Sequence, residues 1–328
     1  MERKVKTIPS KSVKFHSRCS SGSCAESLEG NPKIQGISAK SWIVYDADKK
    51  TVLCSKNEIE KREIASLTKI MTAYTVIKIV GQLDLNMMMT KVNVTSESAI
   101  MYGTSAKLEE GDTLTVWDLL HALLLPSGND AAVCLAEYFG FILIGLKIHS
   151  SLKITSMIDV FVAEMNANAK ALKLSNTTYT NPHGLKDPSN KSTAEDVAKL
   201  SGVCMKAPLF SEIVKKSSYS CLVKKLDGTH MTYTWTNTNK LITKEFNGIK
   251  TGITSPAGPC LASNYKDDKH NLIIVVLSCK TAGHRWHEVI NLKNYALGLL
   301  DDKKTLATQK KRIIISPKAI TKKSSIKT

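Results

Sequence analysis

The chain has 328 residues, an apolar composition of 42% and a formal net charge of +17 at pH 7. This much apolar sequence can build a sizeable core in one large domain or two smaller ones, but no uninterrupted apolar run reaches the roughly 18 residues that a membrane-spanning helix needs. Eight cysteines in a chain of this length exclude a disulfide scaffold, and no C-x-x-C pair or zinc-spaced Cys/His cluster occurs.

The excess positive charge lies mainly at the two ends of the chain. Residues 1–40 hold eight Lys and Arg against three Glu, and residues 301–328 hold nine against two Asp. Both ends are poor in aromatic residues, a composition typical of disordered segments. We predict a basic extension at 1–35, a folded domain at 36–301 and a basic tail at 302–328. The ends are either solvated or contact an anionic surface, and no nucleic acid is expected because no base-reading motif accompanies the charge.

Local patterns predict the elements in chain order. A hairpin is indicated at 41–45 and 51–54, and a run that is apolar on all sides predicts a buried central helix at 65–80. Further helices are predicted at 117–125, 130–138, 159–172 and 193–205, strands at 219–223, 230–235, 248–251, 258–264 and 272–279, and a last helix at 287–300. Strands from both ends of the domain are expected to share one sheet. The predicted fold class is α+β, an antiparallel sheet flanked by helices with a mainly helical subregion.

The first chemical motif is Ser66-Leu67-Thr68-Lys69, at the start of the predicted central helix. Residues three apart on a helix share a face, so the Lys69 amine can reach the Ser66 hydroxyl. A serine hydroxyl needs a neighbouring base to become a nucleophile, and lysine serves only when burial or another cation lowers its pKa. Alone, the motif is more typical of an ordinary helix start with the lysine in water, because S-x-x-K often occurs by chance.

The second and third motifs are Ser127-Gly128-Asn129 and Lys250-Thr251-Gly252. Between two helices, Ser127 can relay a proton and Asn129 can hold a substrate amide, although a plain turn and helix cap would look the same. After a strand, Lys250 and Thr251 can bind a carboxylate, and Gly252 permits close approach of a substrate backbone. The N–H groups of Ser66 and Ile253 are candidates for an oxyanion hole.

The three motifs and several longer blocks, in this order, closely resemble the D-alanyl-D-alanine carboxypeptidase family of low-molecular-mass penicillin-binding proteins, within the serine β-lactamase-like superfamily. The resemblance runs from about residue 38 to about residue 300. The blocks are ASLTKIMTAY (65–74), PSGNDAA (126–132), NPHGL (181–185), STAED (192–196), TNTN (236–239), GIKTGIT (248–254) and AGPC (257–260).

The resemblance implies a serine-type D-Ala-D-Ala carboxypeptidase that acts on peptidoglycan-like peptides through an acyl-enzyme and also reacts with β-lactams. Its catalytic domain would span 36–301 and need no metal or organic cofactor. The implied catalytic residues are Ser66, Lys69 and Ser127. The implied substrate-binding residues are Asn129, Lys250, Thr251, Gly252, Ile253, Thr254 and, by a weaker match, Arg285. His183 is expected to fix its loop rather than to catalyse.

The chain departs from this family's pattern in three places. Its first residues, MERKVKTIPSKSVKF, lack the apolar core of a secretory signal, although relatives act outside the cytoplasmic membrane. Residues 141–156 resemble an insertion, and a basic tail stands where many relatives continue with a β domain and an anchor helix. Two other functions stay open: a class A β-lactamase, which also requires a glutamate-bearing loop for deacylation, and a non-catalytic module that binds penicillin or peptide.

Overall fold

The computed structural model describes residues 34, 36–146, 148, 156–242 and 245–315, with side chains as far as residue 302. The predicted extension at 1–35 lies outside the described residues except for Ile34, as do 316–328 of the predicted tail. The proposed domain limits of 36 and 301 stay a prediction.

The described chain contains nine strands, which form two antiparallel sheets. They are β1 (Ser41–Asp46), β2 (Thr51–Lys56), β3 (Lys91–Asn93), β4 (Thr113–Thr115), β5 (Ser218–Lys224), β6 (His230–Thr236), β7 (Phe246–Thr254), β8 (Gly258–Lys266) and β9 (Asn271–Leu277). The larger sheet has the order β2-β1-β9-β8-β7, so the hairpin near the start of the domain pairs with strands from its end. The predicted hairpin, the shared sheet and the α+β class are confirmed.

The smaller sheet, β3-β4-β5-β6, was not predicted as a separate sheet. The sequence indicated β5 and β6 but not β3 and β4, since a three-residue strand carries too little alternation to be recognised. β6 is the last strand of this sheet, and its outer edge faces no further strand in the described part of the chain.

Strand β9 divides the hydrophobic core of the larger sheet into two parts. It is buried on both faces, which explains its continuous apolar sequence NLIIVVL. Because successive side chains point to opposite faces, alternate residues enter different clusters. Ile273, Val275 and Leu277 pack into the larger core with the helical block, whereas Leu272, Ile274 and Val276 pack with the last helix.

Eight α-helices complete the described fold. They are α1 (Thr68–Gln82), α2 (Ser96–Ala99), α3 (Val116–Leu124), α4 (Asn129–Gly145), α5 (Met157–Ala171), α6 (Ala194–Cys204), α7 (Pro208–Lys215) and α8 (His284–Ile315). Helix α1 contacts α3, α4, α5, α6 and α7, which confirms the prediction of a buried central helix. A short 3-10 helix, Ala65–Leu67, leads into it.

Two helices extend past their predicted ends. Helix α4 continues beyond residue 138 to Gly145, within the predicted insertion at 141–156, of which 147 and 149–155 lie outside the described residues. Helix α8 continues beyond Leu300 to Ile315 into the predicted tail. In both cases no proline interrupts the helix, and charge composition alone does not break a helix that has already begun. Across the described residues, no helix is both long and apolar enough to cross a bilayer.

The crossing of α4 and α5 depends on Gly140. A Cβ built at this position would lie 2.0 Å from the backbone oxygen of Met157, which no side-chain rotation can relieve. We expect Gly140→Ala to lower the free energy of unfolding by about 3 kcal/mol, because the helices must separate. Gly145→Ala, in the same helix but with open space around it, is the matched control and should be neutral or stabilising by up to about 1 kcal/mol. Chemical denaturation of both variants measures the difference, and equal stabilities would contradict the close crossing.

Candidate active site

Ser66 lies in the 3-10 turn that precedes α1 and is half-buried. The turn begins at Ala65, whose φ of 48° lies in the left-handed region. A loop at 181–185 packs directly on it: a Cβ at Gly184 would stand 2.0 Å from the carbonyl oxygen of Ala65, and Gly184 itself has a φ of 83°. Only glycine meets both conditions, so the NPHGL block supports the turn that carries Ser66.

Lys69 is fully buried and its amine contacts three oxygen acceptors. Its Nζ lies 3.1 Å from Oγ of Ser66, 2.7 Å from Oδ1 of Asn129 and 2.7 Å from the carbonyl oxygen of His183. Burial, and then the positive charge of Lys250, lowers the pKa of Lys69 well below 10.5, while the charge of Asp130 opposes this. A neutral amine in contact with a serine hydroxyl can accept that serine's proton.

Ser127 and Asn129 form the turn between α3 and α4. Ser127 is buried with a φ of 71°, and its Oγ has no hydrogen-bond partner among the described residues. Its carbonyl oxygen accepts a 2.7 Å bond from Oγ1 of Thr104. Asn129 joins α1 to the loop that carries Tyr102, since its Oδ1 accepts from Lys69 while its Nδ2 donates to the carbonyl oxygen of Tyr102 at 2.7 Å. The turn therefore places the Asn129 amide against Lys69, while the Ser127 hydroxyl is buried in the same turn without a hydrogen bond to Lys69.

Strand β7 forms the opposite wall, at the edge of the larger sheet. A Cβ at Gly252 would lie 3.1 Å from the backbone nitrogen of Ser66 and 3.0 Å from the carbonyl oxygen of Ile64, so the missing side chain lets β7 pack against the Ser66 turn. Lys250 is buried, and its Nζ donates to the carbonyl oxygen of Thr251 at 3.1 Å. Burial, with a smaller contribution from Arg285, lowers the pKa of Lys250 to about 7.

Of the remaining predicted residues, Ile253 and Thr254 lie on the same strand and Arg285 reaches it from α8. Nη1 of Arg285, from the first turn of α8, donates to the carbonyl oxygens of Gly252 at 3.2 Å and Cys260 at 3.4 Å. Ile253 has 55% of its surface exposed. Thr254 ends β7, where its Oγ1 accepts a 3.3 Å bond from the backbone nitrogen of Ala257. The structure thus brings the Ser66 hydroxyl and the Asn129 amide into contact with Lys69, sets Gly252 against the backbone of Ser66 and brings Arg285 to the strand of Gly252.

Sequence reasoning did not identify several contacts that hold this arrangement. The carbonyl oxygens of Tyr102 and His183 bind Asn129 and Lys69, and the hydroxyl of Thr238 lies 2.7 Å from that of Thr251. Every residue has a backbone carbonyl, so residue types do not show which carbonyls take part in a site, and only the NPHGL block pointed to the His183 region.

His183 is held within its own loop. Burial, with a smaller contribution from Lys69, lowers the pKa of His183 to about 3, and its Nδ1 accepts from the backbone of Leu185. These contacts support the loop-fixing role predicted for His183. No cluster of three metal-ligating side chains occurs within the described residues.

Comparison with known proteins assigns the family. The family model described as D-alanyl-D-alanine carboxypeptidase matches residues 28–281, more than three quarters of the chain. The chain belongs to this family. The resemblance inferred from the motif blocks is therefore confirmed. Membership of the D-alanyl-D-alanine carboxypeptidase family also fits the observed fold, an antiparallel sheet between helices.

Relatives in this family show how much of the chain is shared. The D-alanyl-D-alanine carboxypeptidases DacF of Bacillus subtilis and DacD of Escherichia coli are 31% and 32% identical over 79% and 83% of this chain. The chain spans 62% and 66% of their lengths, just under two thirds. The crystal structure of the Streptomyces K15 DD-transpeptidase aligns with a TM-score of 0.72 at 30% identity, covering 80% of this chain and 98% of that one.

Proposed function

We propose that this protein is a serine-type D-Ala-D-Ala carboxypeptidase that acts on peptidoglycan-like peptides through an acyl-enzyme on Ser66. One observation carries the proposal: the Lys69 amine lies 3.1 Å from the Ser66 hydroxyl, and its burial lowers the pKa of Lys69. A nucleophile in contact with a base whose pKa is lowered is the arrangement that acyl transfer requires.

Acylation begins when Lys69 takes the proton of Ser66. The Oγ of Ser66 attacks the carbonyl carbon of the penultimate residue, and the oxygen of that carbonyl becomes an oxyanion. The N–H groups of Ser66 and Ile253 are the proposed donors to this oxyanion, supported by the close packing of Gly252 on the backbone nitrogen of Ser66. Donors that are already oriented stabilise the developing charge without further reorganisation.

The leaving amine needs a proton as the C–N bond breaks. Ser127 is the proposed relay from Lys69, because its buried Oγ makes no hydrogen bond among the described residues and is free to bond the leaving amine. Asn129 is the proposed contact for the substrate amide and holds Lys69 in place through its Oδ1. Water then attacks the ester, the shortened peptide leaves, and Ser66 regains its proton.

Lys250, Thr251 and Arg285 are the proposed site for the terminal carboxylate, with Thr254 further along the same wall. A pKa of about 7 leaves Lys250 only partly charged at neutral pH, and a bound carboxylate would favour its protonated form. Charge-assisted bonds to a carboxylate are stronger than bonds to a neutral amide. The site would therefore prefer a substrate with a free C-terminus.

This preference gives the test of the proposed function. A peptide that ends in D-Ala-D-Ala should lose its last residue with kcat/KM at least about tenfold above that of the same peptide with a C-terminal amide, because the amide removes the ionic contact. A peptide that ends in L-Ala-L-Ala should be inert. Mass spectrometry of timed reactions measures all three, and equal rates on the acid and the amide would rule out the carboxylate site.

A further inference from the structure

A cavity of about 430 Å³ lies between the β1–β2 turn and the C-terminal ends of α5 and α6, and none of its lining residues belongs to the candidate active site. Among the described residues that line it, none is acidic and four are cationic, namely Lys50, Lys173, Lys199 and Lys206. A concave site of this volume is large enough for a small ligand, and lysines around it attract an anion.

Three of the four lysines have no acidic partner among the described residues. Lys199 forms a 2.8 Å ion pair with Glu195, one turn earlier in α6, whereas Lys50, Lys173 and Lys206 form none. Helix dipoles favour cations near the C-terminal ends of α5 and α6, which accounts for Lys173 and Lys206 but not for Lys50 in the β1–β2 turn. The cavity therefore holds more positive charge than the surrounding side chains neutralise.

A buried phenol also lines the cavity without a hydrogen-bond partner. Tyr45 is only 7% exposed, and its hydroxyl makes no hydrogen bond with the described residues. Burial raises the pKa of Tyr45, and the charge of Lys199 opposes this only in part, so the phenol keeps its proton at neutral pH. A buried donor without an acceptor costs free energy, and an anion in the cavity would supply the acceptor.

One face of α6 forms a wall of the cavity and extends past it. Residues spaced by three or four positions share this face: Lys199, Gly202, Val203 and Lys206. A Cβ at Gly202 would lie 3.7 Å from Cε1 of Tyr45, so the phenol ring packs on this face. Val203 is 41% exposed and also lines a smaller, mostly apolar cavity of about 210 Å³ with Ile77, Ala207 and Phe210. The basic cavity therefore adjoins an apolar one.

We propose that the basic cavity binds a small phosphate monoester, with its phosphate among the lysines and the Tyr45 hydroxyl and its apolar group beside Val203. A phosphate monoester carries about two negative charges at pH 7 and three acceptor oxygens, which match several ammonium groups and one phenol. A carboxylate, with one charge and two oxygens, would meet fewer of these donors. The binding involves no covalent step and does not depend on the proposed reaction at Ser66.

Titration of the full chain with phenyl phosphate tests the site. NMR should show saturable binding with a Kd of about 1 mM or lower and the largest amide shifts at Gly202 and Lys173. Inorganic phosphate should bind about tenfold more weakly, because it lacks the apolar contact with Val203. No saturation by phenyl phosphate would overturn the site, and equal affinity for both probes would overturn its apolar part.

Two results separate this site from the candidate active site. Ser66→Ala protein should bind phenyl phosphate with the same Kd as the wild-type protein, because no lining residue of the basic cavity belongs to the candidate active site. Weaker binding by Ser66→Ala would place the ligand at the candidate active site and overturn the proposal. Loss of penicillin labelling in this variant, with phenyl phosphate still bound, would leave both proposals standing.

Lys173→Gly separates a binding role from a structural one. Lys173 has a φ of 59° after the last turn of α5, where its N–H donates to the carbonyl oxygen of Lys170 and the N–H of Leu174 to that of Ala169, the pattern of a Schellman motif. Glycine is favoured at this position, so Lys173→Gly should raise the denaturation midpoint while weakening phenyl phosphate binding about tenfold.

Lys170→Gln is the matched control for the lost charge. Lys170 is exposed at the same end of α5 but does not line the cavity, so its replacement should leave the Kd for phenyl phosphate unchanged. Equal weakening in Lys173→Gly and Lys170→Gln would show general attraction of anions by surface charge and would overturn the cavity as a site.

Tyr45→Phe tests the buried phenol. It should weaken phenyl phosphate binding about tenfold and leave the denaturation midpoint unchanged or higher, because the hydroxyl has no partner to lose within the described residues. Sedimentation with phosphatidylglycerol vesicles should not change in this variant, since a phenol this buried does not reach a flat surface of headgroups. Loss of vesicle binding without any effect on phenyl phosphate would overturn the small ligand in favour of a lipid headgroup.

Discussion

Replacing Ser66 with alanine is expected to abolish covalent labelling by a fluorescent penicillin, with a loss of at least about 10⁴-fold in the acylation rate. The change removes one oxygen from a half-buried side chain and one hydrogen bond to Lys69, so the fold should persist. Gel fluorescence and intact-mass measurement give the labelling, and thermal unfolding gives the stability. Persistent labelling would contradict the assignment of the nucleophile.

Ser127→Ala is the matched control for this experiment. It removes the proposed proton relay but not the nucleophile, so labelling should continue at Ser66 with a rate lower by about 10²-fold or more. The rate at which the label is released distinguishes a peptidase from a β-lactamase, because a peptidase releases the label slowly and a β-lactamase hydrolyses it rapidly. A label that maps to Ser127, or rapid turnover in the wild-type protein, would contradict the proposed function.

The acylation rate is expected to rise with pH as Lys69 loses its proton. Only the neutral amine accepts a proton from Ser66, and burial makes that form available well below pH 10.5. Lys69→Met should lower the rate by about 10³-fold or more and abolish the rise. Stopped-flow labelling across the pH range measures both effects.

Lys250 sets part of this pH dependence. Its positive charge is the second cause of the lowered pKa of Lys69, so Lys250→Met should raise that pKa and shift the rising limb of the rate profile to higher pH. If Lys250 acted only by contacting a carboxylate, Lys250→Met would lower the acylation rate equally at every pH and would leave the rising limb at the same pH. Gly145→Ala, whose site lies in open space, serves as a control with no change in the profile. An unshifted limb in Lys250→Met would show that the two lysines are not electrostatically coupled.

Local sequence was sufficient to predict those elements and contacts that depend on residues close together in the chain. The proximity of Ser66 to Lys69 follows from helical spacing alone, and the burial of α1 follows from an apolar pattern on all its faces. The apolar run at 272–279 likewise predicted the strand β9, whose burial on both faces only the structure showed. The seven motif blocks were enough to recognise the family, because their residue types and order match those of the family.

Tertiary structure alone decided which distant segments meet at Ser66. The approach of β7 depends on the absence of a side chain at Gly252, and the support from the 181–185 loop depends on Gly184 and on a carbonyl oxygen. The lowered pKa of Lys69 and the separate sheet with its open β6 edge also arise only on folding, since burial and strand neighbours are set by segments far apart in the chain. Backbone atoms and desolvation carry no residue-type signal. For that physical reason the sequence supplied the candidate reacting side chains, but the geometry and electrostatics that would activate them come from the fold.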